Sequence, residues 1–558
     1  MKDASVALSQ SGRFVIKAPY WAVNACRAIP SRRFQSVRKE WVAPVTRVNA
    51  KYLLDVFGGA HWAHDALKAA QDSIQHPIRE SAPFPIWYQF RTKPYDHQLA
   101  ALDKAWGAKA FGFFMEMGTG KTKTVIDLMC AKAMDGQINS ALIVAPLSVV
   151  LSWRDEILMH STVDSTIVRL RSQGKPDLWP AVHGIELAGN FTWFLANVEG
   201  LSVGKLRAVI TEAVAGQSLA MIIDESARIK NHEAIRTKQC MAIGALARQR
   251  YIMSGLPVLK GALDLFSQLQ FLDPEITGVG DFYCFRNRYA VMGGFDNREI
   301  LGYQNLEELA SATAPHVYQI TKVEALSLPD KVYKTVRVEL TKDQLKQISI
   351  VRSGLVGNRD KSRAVKNVLE KVLRIQQIAS GATLRLDDDD KITAVPISDN
   401  PKMQALRDII TDFDGQMVIW CSFLFEVAAV RAVFDELGVS YVVHTGDTKE
   451  SDRKLAINAF QAGEHRAFVS TVQSGGIGIT LTAASLAVYI SNSWSLEARA
   501  QSEDRTHRIG QKNKVEYVDI VADRSADELV REALTQKKDL AEHIRQLINN
   551  GLPITGVD

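Results

Sequence analysis

The chain has 558 residues, of which 46% are hydrophobic and 23% are charged, a composition typical of a globular protein and not of a disordered or membrane-embedded one. No apolar run approaches the roughly 18 residues that a membrane helix needs, and the N-terminus lacks the apolar segment of a secretion signal. We therefore expect several domains, a cytoplasmic setting, and five cysteines that are reduced and mostly buried, without a metal or redox role.

The positive charge is concentrated near the N-terminus. Residues 1–90 contain 12 Lys and Arg against 6 Asp and Glu, so out of a net charge of +5 the other 468 residues carry −1. A local excess of this kind is typical of contact with a phosphate backbone, with an ordinary solvated surface as the alternative.

Apolar, β-branched runs alternate with helical patterns from about residue 95 to 273 and again from about residue 402, as in parallel α/β units. The predicted strands lie at 111–114, 141–145, 220–223 and 250–253, and then at 417–420, 467–470, 486–490 and 515–521. The sequence thus predicts an α/β fold with two similar parallel-sheet lobes.

The other segments are less regular. Residues 274–400 carry helical patterns at 342–356 and 363–380, and an acidic run at 387–390 that is either a solvated turn or a cation site. A helix is expected at 534–547, packed against a lobe. We divide the chain into an N-terminal module (1–90), a first lobe (91–273), a helical insertion or linker (274–400), a second lobe (401–535) and a C-terminal helix (536–558).

A glycine-rich turn lies between the predicted strand at 111–114 and a predicted helix at 121–131. In this turn, Glu116–Thr122, the glycines Gly118 and Gly120 flank Thr119 and let backbone N–H groups approach phosphates at a helix N-terminus. Lys121 is expected to reach the β- and γ-phosphates of ATP, and Thr122 to ligate Mg²⁺. The longer consensus has a further glycine where this chain has Met115, and a purely structural turn is the alternative.

An acidic pair, Asp224 and Glu225, follows the predicted strand at 220–223. Carboxylates at the carboxyl end of a parallel strand lie where such sheets bind ligands. Asp224 suits the Mg²⁺ shell, and Glu225 suits orienting or deprotonating the attacking water.

These residues resemble the motifs of superfamily 2 nucleic-acid translocases, and within them of the Swi/Snf-type ATPases. The resemblance covers residues 90 to 535 and includes, in order, Glu116–Thr122, Asp224–Ala227, Ser254–Pro257, a run from Ser470 to Gly478, and Gln501–Gln511. It implies two RecA-like lobes with helical insertions, ATP in the cleft between them, and DNA across both.

The resemblance also implies roles for individual residues. Gln98 matches the glutamine that reads adenine, Gly478 is expected near the nucleotide, and Gln501, Arg505 and Arg508 match the last motif, whose arginine stabilises transition-state charge. A surface ion-pair helix is the alternative for the two arginines. The positions that match strand-contacting motifs are Pro146, Trp153, Asn197, Ser422, Gly476 and Thr480.

One departure from the family pattern concerns the acidic box. The family usually carries His at the fourth position, where this chain has Ala227. That His is thought to connect the hydrolytic site with the Ser-Gly motif, so the departure puts coupling in question and leaves hydrolysis itself expected.

The N-terminal module resembles the HARP module of annealing helicases, on about 45 residues. The similarity rests on Ile29–Phe34 followed by Arg38–Val42, and on Ser226 in the acidic box. The aromatic residues Phe34 and Trp41 either stack on bases or pack a small α+β core. The basic residues expected to contact DNA phosphates are Arg32, Arg33, Arg38 and Lys39.

The sequence therefore predicts a DNA-dependent ATPase that translocates on duplex, forked or branched DNA and anneals or branch-migrates strands in replication, recombination or repair. The alternatives are a translocase that displaces or remodels DNA-bound proteins, an RNA helicase and, from another class, a non-hydrolysing DNA-binding scaffold. The intact Lys121, Glu225 and Arg508 argue against the scaffold.

Overall fold

In the computed structural model the chain divides into two units, Met1–Thr321 with Leu540–Asp558, and Lys322–Asp539. The structure describes residues 3–9, 13–27, 29, 32–45, 47–75, 83–187, 190–203, 205–297, 299–326, 328–357, 362–364, 368–386, 392–446, 450–473, 479–508 and 510–550.

The first unit begins with a small α+β module. Its five-stranded sheet is antiparallel except at one edge and has the order Arg33–Gln35, Glu40–Pro44, Arg13–Lys17, Ser5–Leu8, His61–Trp62. Three helices accompany it, Val23–Arg27, Arg47–Phe57 and His64–Gln75. Alternating residues of the central strands, such as Phe14 and Ile16, are buried in the core of this module.

The segment just before residue 90 belongs to the core of the first lobe. Phe84 and Tyr88 are buried there, and the Tyr88 hydroxyl donates to Asp127 Oδ1 at 3.0 Å. These aromatic side chains thus pack with the first lobe, although the proposed module boundary lies after them, at residue 90.

The first lobe is built on an eight-stranded sheet. Its order is Val317–Ile320, Ala110–Met115, Gln249–Met253, Leu219–Ile223, Ser140–Ala145, Phe191–Asn197, Ser165–Arg169, Asp177–Val182, and all neighbours are parallel except the last pair. The inner strands are buried on both faces, which explains their continuous apolar sequences.

Helices cover both faces of this sheet and bury two apolar clusters against it. They are Asp96–Trp106, Lys121–Met134, Val150–His160, Lys205–Ala213, Ile235–Gly244, Leu265–Leu272, Phe282–Tyr289 and Leu306–Thr313. An antiparallel hairpin, Ala290–Gly293 with Glu299–Tyr303, follows the seventh of them.

The second unit contains a six-stranded, all-parallel sheet. Its order is Lys331–Val338, Val515–Ala522, Leu486–Tyr489, Met417–Cys421, Ala467–Thr471, Tyr441–His444. The helices are Lys322–Ala325, Lys342–Arg352, Val368–Ala379, Pro401–Thr411, Leu424–Leu437, Glu450–Gln461, Leu496–Thr506 and the first part of Ala526–Asn550. The predicted α/β fold with two parallel-sheet lobes is confirmed.

The structure divides residues 274–400 between the two units, where the sequence predicts one separate segment. The strand Val317–Ile320 joins the sheet of the first lobe, and Lys331–Val338 joins the sheet of the second. Each strand pairs with a partner more than 180 residues away, a contact that local pattern does not reveal.

Both helices predicted within that segment are shorter than expected. The first ends at Arg352 because Gly354 turns into the left-handed region, with φ +93°. The next residues form a hairpin, Leu355–Gly357 with Ser362–Ala364, and a second hairpin pairs Ala382–Leu386 with Ile392–Pro396. The acidic run at 387–390 lies outside the described residues.

The last helix, Ala526–Asn550, is longer than predicted, and the proposed boundary at residue 536 falls inside it. Its end belongs to the first unit, where Ile544 is buried in the apolar core. Among the described residues, no helix combines the length and apolar character needed to cross a membrane.

The cysteines are free thiols. Cys26, Cys130, Cys240 and Cys421 are buried, and Cys284 is half-buried. The predicted burial is confirmed for four of the five cysteines.

Candidate functional site

The glycine-rich turn has the backbone of a phosphate cradle. Gly118 and Gly120 have φ of +80° and +83°, and the helix Lys121–Met134 begins directly after them. The left-handed φ at Gly120 favours glycine, and a Cβ there would also clash with the Gln98 side-chain amide. The helix N-terminus adds the partial positive charge that favours phosphate.

Gln98 is buried against this turn. Its Oε1 accepts the Tyr95 N–H at 3.0 Å, and its Nε2 lies 3.3 Å from the carbonyl oxygens of both Thr119 and Gly120. The residue is therefore next to the phosphate turn, and its contact with adenine stays a prediction.

The acidic pair lies at the carboxyl end of the strand Leu219–Ile223. Asp224 Oδ1 accepts the Glu225 N–H, and Oδ2 accepts the indole N–H of Trp153, both at 2.8 Å. Burial raises the pKa of Asp224 above its usual value, although the bond from Trp153 and the charge of Lys121 act in the opposite direction. Because each carboxylate oxygen can accept two hydrogen bonds, capacity remains for a metal or its water.

Glu225 has a strained backbone. Its φ of +49° and ψ of +56° lie in the left-handed region, which is unusual for a residue with a side chain. Such strain persists only where the surroundings hold it, and it is concentrated at functional sites. The same left-handed backbone occurs at Lys39, Asp296, Asn305 and Arg524, so the catalytic role of Glu225 stays a prediction.

The structure does not support the predicted contact of Trp153 with nucleic acid, because the side chain is buried. Trp153 lies on the helix Val150–His160, is 1% exposed, and packs in the core of the first lobe with its indole N–H bonded to Asp224. A Trp in such a helix pattern suits a surface or a core position equally well, and only the long-range bond to Asp224 decides between them.

The turn before that helix is joined to a second segment predicted to contact the strand. Pro146 is buried, the next residue is exposed, and the Leu147 N–H donates to Glu199 Oε2 at 3.2 Å. Asn197, which ends the strand Phe191–Asn197, is two residues before that glutamate. Because Pro146 is buried, the accessible part of this turn begins at Leu147. The DNA contacts of Pro146 and Asn197 stay predictions.

The Ser-Gly motif lies against the phosphate turn. The Ser254 N–H donates to the Phe113 carbonyl at 3.1 Å, and a Cβ at Gly255 would lie 3.1 Å from the backbone nitrogen of Met117. The Ser-Gly motif is therefore in direct contact with the phosphate turn.

A buried polar pair joins the acidic box to the same motif. Ser226 Oγ donates to Gln268 Oε1 at 2.6 Å, and Gln268 Nε2 donates to the Pro257 carbonyl at 2.7 Å. Sequence reasoning missed Gln268, because the helix Leu265–Leu272 also contains Ser267 and Gln270 and its sequence does not show which polar residue has a buried partner.

The last motif occupies the helix Leu496–Thr506 and the turn after it. Gln501 Nε2 donates to Glu497, and Arg505 is buried with Nη1 3.5 Å from the Ile479 carbonyl. Arg508 Nη1 donates to Thr480 Oγ1 at 3.3 Å. The structure thus brings two predicted site residues, Arg508 and Thr480, into contact.

An ionic network that the sequence did not predict holds this helix. Arg499 donates to Glu503 at 2.8 Å, and its guanidinium lies 3.6 Å over the Tyr489 ring. Burial would raise the pKa of Glu503, but Lys331 and Arg499 lower it to about 2. The carboxylate is therefore ionised at neutral pH and fixes the helix that carries Arg505.

The remaining predicted residues of the second lobe are partly described. Ser422 Oγ donates to the Ser491 carbonyl at 3.1 Å, and the Ser422 N–H donates to the buried carboxylate of Glu426 at 2.8 Å. Gly476 and Gly478 lie outside the described residues.

Lys322 is a second residue that sequence reasoning missed. It is 2% exposed, forms an ion pair with Asp504, and donates to the His507 carbonyl at 2.7 Å, immediately before Arg508. A lone Lys in a mixed segment carries no signal of burial, because its partners are about 180 residues away.

Replacing Lys322 with Met is expected to destabilise the second unit by about 3–5 kcal/mol, because Asp504 would be left as an unpaired buried charge. Denaturant unfolding followed by circular dichroism measures the destabilisation. Lys334→Met is the control, since Lys334 forms an exposed pair with Glu516 at 2.7 Å that contributes about 0–1 kcal/mol. Equal destabilisation of the two variants would contradict the assignment.

The donor set of the first lobe fits an Mg-nucleotide. Backbone N–H groups of the turn and the Lys121 ammonium suit phosphate oxygens, and the Thr122 hydroxyl and Asp224 carboxylate are the oxygen ligands that Mg²⁺ prefers.

Family models match the chain in the same order as the motifs. A model of the SNF2-related domain matches residues 111–382, and a model of the helicase conserved C-terminal domain matches residues 401–510.

Curated relatives show the same similarity at low identity. The transcription regulatory protein SNF2 of Saccharomyces cerevisiae is 24% identical over 451 residues, which cover 76% of this chain and 26% of that protein. An uncharacterized ATP-dependent helicase of Mycoplasma genitalium, MG018, is 24% identical over 437 residues, 76% of this chain and 39% of that protein. The chain therefore spans about a quarter to two fifths of the length of these relatives.

Among solved structures, the Sulfolobus solfataricus SWI2/SNF2 ATPase core in complex with dsDNA is 20% identical, with a TM-score of 0.35 over 84% of this chain and 95% of that one. With the two family models in sequence and the motif residues in the places described, the chain belongs to the Swi/Snf-type ATPases of helicase superfamily 2.

Proposed function

We propose that this chain is a DNA-dependent ATPase that translocates on duplex or forked DNA and uses that movement to anneal or branch-migrate strands. The observation that carries the ATPase assignment is the buried carboxylate of Asp224 beside Lys121 and the phosphate turn, held by Trp153 and the Glu225 N–H.

Hydrolysis follows from what the residues of the first lobe do. The turn and Lys121 bind and orient the phosphates, and Thr122 and Asp224 would hold Mg²⁺, which neutralises charge on the phosphate oxygens when bound. Glu225 orients the attacking water and accepts its proton. The family resemblance assigns the stabilisation of charge in the transition state to the last motif, with Arg508, Arg505 and Gln501.

The DNA path is proposed from the family positions that the first and second lobes carry. Pro146, Asn197, Ser422 and Thr480 follow the strand through backbone and polar contacts, which fix position and carry no sequence preference. Membership of the Swi/Snf-type ATPases supports DNA as the partner.

The annealing role rests on the N-terminal module. The strand Arg33–Gln35 and the turn after it are the exposed part of a hairpin and carry Arg33, Phe34, Arg38 and Lys39. Phe34 is 52% exposed, and its ring lies 4.9 Å from that of Trp41. Trp41 itself packs on the core of the module. Basic side chains beside an exposed aromatic ring suit phosphates next to unpaired bases.

ATPase assays with forked DNA, duplex, single strand and RNA as cofactors test the proposal, together with a strand-annealing assay. Stimulation by forks and duplex with ATP-dependent annealing is the expected result. Duplex stimulation without annealing would favour a translocase that displaces bound proteins, and DNA binding without hydrolysis would favour a scaffold. Preferential stimulation by RNA would overturn the proposal.

The triple variant Arg33→Ala, Arg38→Ala, Lys39→Ala is expected to lower fork affinity and to flatten its salt dependence. The log–log slope should fall by ~0.9 for each duplex phosphate that the variant no longer neutralises. DNA-free hydrolysis should stay at the wild-type rate, because these exposed residues lie outside the first lobe. Fork binding measured by fluorescence anisotropy over a salt series checks the affinity and the slope.

The matched control replaces three exposed basic residues of the first lobe, Lys109, Lys175 and Arg248, with Ala. It removes the same formal charge. An equal change of slope in both triple variants would reduce the hairpin to one part of a general basic surface.

A further inference from the structure

The polar pair of Ser226 and Gln268 is completely buried, and every bond described for it lies within the first lobe. Ser226 and Gln268 are both 0% exposed. Gln268 uses its oxygen to accept from Ser226, and both N–H groups to donate to the carbonyls of Pro257 and Asp264, at 2.7 and 2.8 Å. An amide in an apolar core is tolerated only when satisfied in this way.

This pair contacts the acidic box at one end and the Ser-Gly motif at the other. Ser226 follows Glu225 directly, so the bond from Ser226 helps to hold the left-handed backbone of that glutamate. Pro257 ends the Ser-Gly motif, whose Gly255 lies against Met117 of the phosphate turn. A continuous set of contacts thus connects the backbone of Glu225 with the Ser-Gly motif and the motif with the phosphate turn.

The position that usually carries a histidine cannot supply such a contact here. Ala227 has a methyl side chain, which neither donates nor accepts a hydrogen bond. The neighbouring Ser226 supplies a donor instead, and Gln268 supplies an acceptor and a donor at a helix position where an aliphatic side chain would pack without any polar cost.

We propose that Ser226 and Gln268 are positioning residues that couple the acidic box to the Ser-Gly motif, in place of the histidine that this chain lacks. The proposal rests on the proposed function, since it concerns how DNA binding accelerates hydrolysis. Neither side chain touches nucleotide or DNA. Both act by keeping Glu225 and the motif in register.

The test uses the full-length chain with Ser226→Ala, Gln268→Met and the double variant. Ser226→Ala is expected to lower the ratio of kcat with duplex DNA to kcat without it by about five- to tenfold, the effect of removing one neutral hydrogen bond. Gln268→Met, which also removes the bonds to the Pro257 and Asp264 carbonyls, should lower the ratio at least as far. The ATP KM should remain within about twofold, because both side chains are fully buried and away from the nucleotide. The double variant should fall no further than Gln268→Met alone, because that change already removes the bond that Ser226→Ala removes.

Gln270→Met is the matched control on the same helix. Gln270 Nε2 donates to the Val279 carbonyl at 2.8 Å, away from the acidic box, so its replacement should leave the ratio unchanged. Thermal unfolding of all variants is measured beside the kinetics, and Ser226→Ala, which removes a single oxygen atom, carries the test if Gln268→Met does not fold.

Three results would overturn the inference: multiplicative effects in the double variant, an equal effect in Gln270→Met, or an unchanged ratio in Ser226→Ala. A wild-type chain whose hydrolysis ignores DNA would overturn the proposed function and this inference with it. A stimulated wild type with unaffected variants would overturn the inference alone.

Discussion

Changing Glu225 to Gln is expected to abolish ATP turnover and to leave nucleotide binding nearly intact. The amide keeps the size and shape of the side chain but cannot accept the proton of the attacking water, while the phosphate turn and Asp224 are untouched. Steady-state ATPase assays with DNA and titration with a fluorescent ATP analogue measure the two properties separately.

Two further variants define the outcome for Glu225. Lys121→Ala should weaken both binding and turnover, because the ammonium contacts the phosphates in the ground state as well. Glu233→Gln, an exposed acid eight residues farther along, should change neither. Near wild-type turnover in Glu225→Gln with DNA present would remove Glu225 from the catalytic role.

Replacing Arg508 with Ala is expected to lower the DNA-stimulated kcat by about 10³- to 10⁵-fold, the contribution of arginine fingers generally, with little change in ATP affinity. The guanidinium is expected to interact most strongly as charge develops in the transition state. Single-turnover hydrolysis and equilibrium nucleotide binding check the two halves of this prediction.

A suitable control for Arg508 is another arginine of the same unit. Arg431 is exposed on the helix Leu424–Leu437, so Arg431→Ala should leave hydrolysis unchanged. Arg505 is a less suitable test because it is buried and its replacement would disturb the helix itself. A raised KM with an unchanged kcat in Arg508→Ala would count against the assignment.

The sheets were predictable because their strands are short apolar runs with clear ends. The strands Ala110–Met115 and Leu219–Ile223 extend the predicted ones by one or two residues, and the phosphate turn lies between strand and helix as expected. The signal is local in each case, since a parallel strand buried on both faces is apolar along its whole length.

Contacts between distant residues were not predictable. The strand Val317–Ile320 pairs with Ala110–Met115, and Trp153 bonds Asp224 across 71 positions of sequence. Each of these segments, taken alone, has another acceptable interpretation: a loop, or a DNA-facing aromatic residue. The tertiary partner decides between the interpretations, and one sequence does not contain that information in local form.

The burial of the cysteines has a practical consequence for measuring motion. Burial raises the pKa of the Cys26 thiol to about 11 and that of Cys240 to about 12, and it also raises the pKa of Cys130 and Cys421. Because the thiolate is the form that reacts with maleimides, these four should label slowly at neutral pH. Replacing the half-buried Cys284 would therefore leave only slowly labelling thiols. One exposed cysteine introduced in each unit could then be labelled with a dye, and energy transfer between the two dyes would measure distance changes during nucleotide turnover.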